Sequence, residues 1–188
     1  MKKAILETER LIIRKPKPVE EDINFYLELW NHPDVMRMVG FPQGLGITKE
    51  KVEKHLIRDG DKDFDRTLIV QRKKDGKKIG EAKLGLPDEQ NIAHTDVKLL
   101  PRFWGMGYGK EIKQALVDHI FTSTDALAVE ASPNKKNVAS QRMQLSVGAV
   151  FVKEEVYHFP EKMKSFTEDV HCMIFRLYRE EWEKRRQA

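Results

Sequence analysis

Apolar and polar positions alternate along this chain in two periods, and the switch between them marks out its elements. Residues 10–14 (Arg10, Leu11, Ile12, Ile13, Arg14) form a β-branched run that stops before Pro16 and Pro18, which predicts a first strand. Over 19–30, Ile23, Tyr26, Leu27 and Trp30 recur at i, i+3, i+4 and i+7, the pattern of a helix with one apolar face. Asn31, His32, Pro33 and Asp34 break it, with His32 read as helix-end punctuation. Gly40, Pro42, Gly44 and Gly46 crowd a loop; Thr48 then caps a second helix that carries Val52 and Leu56 and ends at Asp59-Gly60. Strands follow at 67–71 and 78–86, joined by a turn at 74–77 whose Asp75-Gly76 pair favours a hairpin. A connection at 87–90 leads to a strand at 91–100. Beyond it, Ile112, Leu116 and Ile120, with Ala115 alongside, pattern a helix. A short strand at 126–131 ends at Ser132-Pro133-Asn134, and Asn137 opens a helix that runs to about Ser146 and stops at Gly148. Strands at 151–159 and 170–178 and a charged helix in the tail to Ala188 complete the chain. The order β-α-α-β-β-β-α-β-α-β-β predicts an α/β (α+β) fold. It would be a single domain over 1–188 whose mixed, mostly antiparallel sheet has helices on both faces.

Composition narrows the classes. With 188 residues, 40% hydrophobic and 34% charged, the chain suits one folded domain with a real core. No apolar run approaches a membrane span. Met1-Lys2-Lys3 resembles the start of an export signal, but Glu7, Glu9 and Arg10 interrupt any apolar segment behind it, so a cytoplasmic location is expected. The single Cys172 excludes an internal disulfide and offers no cysteine pair for zinc; no metal is expected. The net charge of +4 comes from 34 basic and 30 acidic residues interleaved along the chain. That spread argues against a nucleic-acid-binding face, and the small excess suits a polyanionic small ligand. The sequence leaves association into a homodimer open.

The stretch 99–111, LLPRFWGMGYGKE, carries the clearest chemistry. A strand stops at Pro101, Gly105, Gly107 and Gly109 follow at every second position, and a helix begins. Strand, glycine turn and helix start together expose unpaired backbone N–H groups at the positive end of a helix dipole, a place for phosphate. A dinucleotide fingerprint requires G-x-G-x-x-G, and a P-loop requires Lys followed by Ser or Thr, whereas Lys110 is followed by Glu111. Neither fits.

Arg102-x-x-Gly105-x-Gly107 instead resembles the Q/R-x-x-G-x-G/A pyrophosphate signature of the GNAT N-acetyltransferases. Residues 8–14 (Thr8, Glu9, Arg10, Leu11, Ile12, Ile13, Arg14) are similar to the T-E-R-L-x-L-R opening of the ribosomal-protein N-terminal acetyltransferase (RimJ/RimL-like) branch. Residues 99–111 are similar to its L-x-P-x-x-W-G-x-G-Y-A-x-E, and Asn137 with Ser140, followed by Gly148, to its N-x-x-S helix ending in L-G-F. The chain departs from the branch at Gly109, usually Ala, and at Ala149-Val150, which separate Gly148 from Phe151. It also places His94 where many relatives carry a carboxylate base.

The resemblance implies transfer of an acetyl group from acetyl-CoA to a primary amine, a protein N-terminal α-amine or a small-molecule amine, by direct attack on the thioester. Backbone amides from Phe103 to Lys110 (Phe103, Trp104, Gly105, Met106, Gly107, Tyr108, Gly109, Lys110), with Arg102, would hold the pyrophosphate. Leu99 and Leu100 would bond the pantetheine arm like a strand, with one N–H serving as oxyanion donor. Asn137 would contact the same arm; a plain helix N-cap explains it equally well. An amine must be neutral to attack: a lysine (pKa about 10.4) needs a stronger base than an α-amine (about 7.7–8.0). His94 could accept that proton or serve only a structural hydrogen bond; Asp96, on its strand face, could orient it. Glu81 is the substitute base, or a solvated carboxylate. Many GNAT enzymes place a tyrosine seven positions after the helix-opening Asn; here Gln144 stands there, so Ser140 is the candidate donor to the departing thiolate. Trp104 and Tyr108 also read as packing. The alternative is a non-catalytic acyl-CoA sensor or scaffold of the same fold.

Overall fold

The computed structural model describes residues 4–60 and 62–187; Met1–Lys3, read above for an export signal, and Ala188, at the end of the tail helix, lie outside them. Two strands, β1 (Ala4–Glu7) and β2 (Leu11–Arg14), open the chain as a hairpin. The first was not expected. Its four residues are only half-buried and precede a turn, too short a run for periodicity to register. Helix α1 (Glu20–Asn31) follows, then a short α2 (Pro33–Met36) inside the expected break. Pro33 is preset for a first helical turn, and the His32 ring nitrogen accepts from the Asp34 N–H at 3.2 Å, so the punctuation opens a helix as well as closing one.

Helix α3 (Lys49–Asp59) precedes three strands, β3 (Arg66–Arg72), β4 (Lys78–Pro87) and β5 (Ile92–Leu99). Next come α4 (Tyr108–Ser123), β6 (Ala128–Ala131), α5 (Val138–Ser146), β7 (Val150–Tyr157), β8 (Val170–Tyr178) and α6 (Arg179–Gln187). The eight strands form one sheet in the order β1-β2-β3-β4-β5-β6-β8-β7, antiparallel except for the β5–β6 pair. Among the described residues no helix is long and apolar enough to cross a membrane.

Opposite faces of β5 take different helices because successive side chains alternate. Lys98 and its β4 partner Glu81 face α1, where the Trp30 indole donates to Glu81. Thr95 faces α4, where Lys113 donates to its hydroxyl. The α4 stripe Ile112, Leu116 and Ile120 is fully buried beneath the sheet, each residue contributing roughly 1.5–3 kcal/mol of burial free energy. On the other face, Arg14 of β2 and Asp22 of α1 form a buried two-point ion pair, both contacts at 2.8 Å.

Candidate active site

β5 stops at Leu99 because Pro101 follows, opening a single 3-10 turn over Pro101–Phe103. Gly105 and Gly107 then adopt φ of +72° and +79°, left-handed conformations in which a side chain would be strained. A Cβ on Gly105 would meet nothing within 4 Å, so this side of the loop is open to a ligand. The first backbone bond of α4 runs from the Glu111 N–H to the Gly107 carbonyl (3.3 Å), and no side chain caps the helix. The N–H groups of Tyr108, Gly109 and Lys110 therefore have no acceptor within the helix. Gly109 is helical rather than left-handed; its Cβ would come 3.0 Å from the Met143 sulfur, which accounts for a small residue between α4 and α5.

Side chains of the distant β1–β2 turn fix this loop. Glu111 accepts from the Thr8 hydroxyl (2.5 Å), the Arg10 N–H (3.0 Å) and the Arg10 Nε (2.6 Å). Arg10 also donates to the Met106 carbonyl (3.0 Å) and lies over the Tyr108 ring at 4.5 Å. Partial burial would push the Glu111 carboxyl up, but the bonds from Thr8 and Arg10 outweigh it and hold it below the usual range. Sequence reasoning quoted Thr8, Arg10 and Glu111 as motif letters and missed this joint role. Arg102 is committed to Glu28 of α1 through contacts of 2.5 and 3.3 Å, tying the loop to that helix. Phe103 is buried, with Arg72 stacked on it at 5.1 Å, while Trp104 and Met106 are about half exposed.

At its other end, β5 parts from β6. The two strands pair only at Ile92–Ala128, Ala93–Val129 and His94–Glu130, and from Thr95 onward β5 keeps only its β4 partner. The Leu100 N–H is used by the Ile79 carbonyl (3.0 Å) and its side chain is fully buried; the Leu99 carbonyl accepts from the Trp104 indole (2.7 Å). By strand alternation, the main-chain groups of Val97 and Leu99 face the opening. Of the two leucines, Leu99 lies on the cleft edge and Leu100 does not. Thr95 marks the apex, donating to the Glu130 carbonyl (3.4 Å) and accepting from Lys113. Lys113 is only 2% exposed, and burial pushes its ammonium down to about 7 against the weaker pull of Asp96.

The α1-facing side of the apex is charged. Glu81, 3% exposed, accepts from Trp30 (2.9 Å) and Lys98 (3.0 Å), and Lys98 also pairs with Asp96. Burial would lower the Lys98 ammonium, but Asp96 and Glu81 outweigh it and hold it above the usual lysine range; the same pairing holds Asp96 low. Glu81 is thus a networked carboxylate, not a solvated one. Asp96 is engaged by Lys98 instead of orienting His94. Half-exposed His94 has Nε2 3.4 Å from Asp88 and Nδ1 3.6 Å from Glu130. On α5, Asn137 accepts from the Ser140 N–H (3.1 Å), the N-cap reading, and the Ser140 hydroxyl has no partner among the described residues.

A sheet split along one strand, with a glycine loop and an uncapped helix at that strand's end, leaves room and free main-chain N–H groups for a phosphate-bearing ligand. The family description "Acetyltransferase (GNAT) domain" matches residues 10–150, and the chain belongs to that family. It is an acetyl-CoA-dependent N-acetyltransferase. N-acetyltransferase p20 of Bacillus licheniformis, itself uncharacterised, is 27% identical over 180 residues, covering 94% of this chain and 97% of that one. A GNAT-family acetyltransferase from Bacillus anthracis superposes with a TM-score of 0.77 at 18% identity, covering 93% of this chain and 98% of that chain. The Vibrio cholerae spermidine N-acetyltransferase, solved with CoA and spermine, gives 0.74 at 16% identity, covering 94% and 99%.

Proposed function

We propose that the acceptor is a primary amine, either a peptide α-amine or a small-molecule amine, which attacks the thioester directly. The observation that carries this reading is the layout of β5, with the glycine loop at one end, the parting from β6 at the other and a free edge between. From Leu99 to Thr95 that edge spans about 13 Å, four residues at roughly 3.3 Å each. The expected 103–110 span narrows, because the Phe103 and Trp104 N–H groups donate to the Leu100 and Pro101 carbonyls at 2.9 and 3.0 Å; main-chain N–H groups of 105–110 would hold the pyrophosphate, and Val97 and Leu99 would bond the amide-bearing arm as an added strand. The thioester end then comes to the apex, where a main-chain N–H of β5 stabilises the developing oxyanion.

Around the apex, four carboxylates (Glu81, Asp88, Asp96 and Glu130) outnumber the cations paired with them (Lys98 and Arg176), which favours a cationic acceptor. Glu81 is held by Trp30 and Lys98, whereas His94 keeps solvent access, so His94 takes the proton that the attacking nitrogen releases. The electron pair of the breaking C–S bond leaves on sulfur. Ser140 donates to that thiolate, a modest help because an ordinary thiol has a pKa near 8.5. The motifs shared with the ribosomal-protein N-terminal acetyltransferase branch favour a peptide α-amine, and the likeness to the spermidine enzyme adds polyamines to the panel.

The test is transfer from labelled acetyl-CoA to a panel of N-terminal peptides, lysine side chains and polyamines. The expected result is turnover on an amine, with His94→Gln lowering kcat by about 100-fold and removing the acid limb of the pH profile. Ser140→Ala should slow turnover without abolishing it. Acetyl-CoA binding with no turnover on any amine would overturn the reading in favour of a sensor.

A further inference from the structure

Helix α5 is patterned inside out. Its apolar Val138 and Leu145 are more than half exposed, while its buried residue is Gln144, at 3% exposure. The Gln144 Oε1 is shielded from solvent and has no hydrogen-bond partner. A buried carbonyl left unpaired destabilises the free protein, so its presence here needs a reason. Location supplies one. The preceding Met143 rests against Gly109 in the first turn of α4, beside the glycine loop. One helical turn before Gln144, on the same stripe, Ser140 carries a hydroxyl with no partner among the described residues.

We propose that Gln144 is a positioning residue that grips an amide of the carrier's pantetheine arm; this rests on the acetyl-CoA reading above. Its Oε1 accepts from an arm N–H and its Nε2 donates to an arm carbonyl. A carboxamide offers one acceptor and one donor side, and an amide matches both. The departing sulfur would use only the donor and leave Oε1 unpaired, and a phosphate oxygen would face Oε1 as one acceptor against another. Gln144 therefore holds the arm in place while Ser140 meets the sulfur.

The experiment compares wild type with Gln144→Leu, an apolar side chain of similar size, by calorimetry against CoA and against adenosine 3′,5′-bisphosphate, which lacks the arm. Gln144→Met serves as the second variant should the leucine fail to fold. The expected result is unchanged affinity for the bisphosphate, CoA affinity at least tenfold weaker, and a higher Tm for the free variant because the orphaned carbonyl is gone. In steady state, KM for acetyl-CoA rises at least tenfold while kcat stays within twofold. Unchanged CoA affinity in the variant, with wild type binding CoA, overturns the role of Gln144 alone. A wild type that binds neither compound overturns the acetyl-CoA reading and this proposal with it.

Discussion

Glu111 sits in the first turn of α4, in the field that a pyrophosphate needs, and a bare carboxylate there would repel the carrier. Arg10 removes that conflict: it neutralises Glu111 and, through the Met106 carbonyl, fixes the peptide that leads into Gly107. Replacing it works against binding twice, by freeing the loop and by unmasking the carboxylate. Arg10→Gln should weaken CoA binding by about tenfold, the worth of one charge-assisted hydrogen bond, with little change in kcat. Calorimetry with CoA checks this, and wild-type affinity in the variant would contradict it. All three residues stand in recognisable motifs, but Thr8 and Glu111 are 103 positions apart, and nothing local joins them. The same limit hid the partners of Glu81 and Asp96, whose fates depend on Trp30 and Lys98 rather than on their own strand pattern.

At the scale of elements, period identified α4 but assigned its faces incompletely. Ile112, Leu116 and Ile120 mark the core stripe, and Lys113 beside them would ordinarily reach solvent. It is buried because β5 leaves β6 above it and Thr95 offers a single hydroxyl at the apex. A lysine whose folded pKa is depressed to about 7 binds fewer protons folded than unfolded between pH 7 and about 10.4. Stability therefore rises with pH across that window, and at and below pH 7 the full penalty of charging a buried amine is present. Lys113→Met should raise Tm most at pH 6–7, with the advantage shrinking toward pH 10. Thermal melts of both proteins over that range test it, and a difference independent of pH would contradict it. In α5, by contrast, the sequence marked Gln144 only by comparison with a tyrosine, because a polar residue on a short helix gives no signal of burial.

Across the whole molecule, element order was legible because strong strand runs and one-faced helices alternate, and glycines and prolines punctuate them. The all-antiparallel halves and the single parallel β5–β6 junction join those elements into the eight-stranded sheet. What the chain hides is where that junction ends. Residues 92–99 read as one continuous strand, yet only the first three pair with β6, and the parting at Thr95 creates the cleft. β1 escaped for a related reason, since a four-residue, half-buried strand gains its meaning from β2 and α4 rather than from its own pattern. The cleft edge and the glycine loop would hold the carrier together, and they carry separate backbone amides. An amide-resolved NMR titration of the purified protein with CoA reads both at once. The expected result is saturable shifts at Gly105 to Lys110 and at Val97 and Leu99; saturable binding that leaves those amides unmoved, or no binding at all, would contradict it.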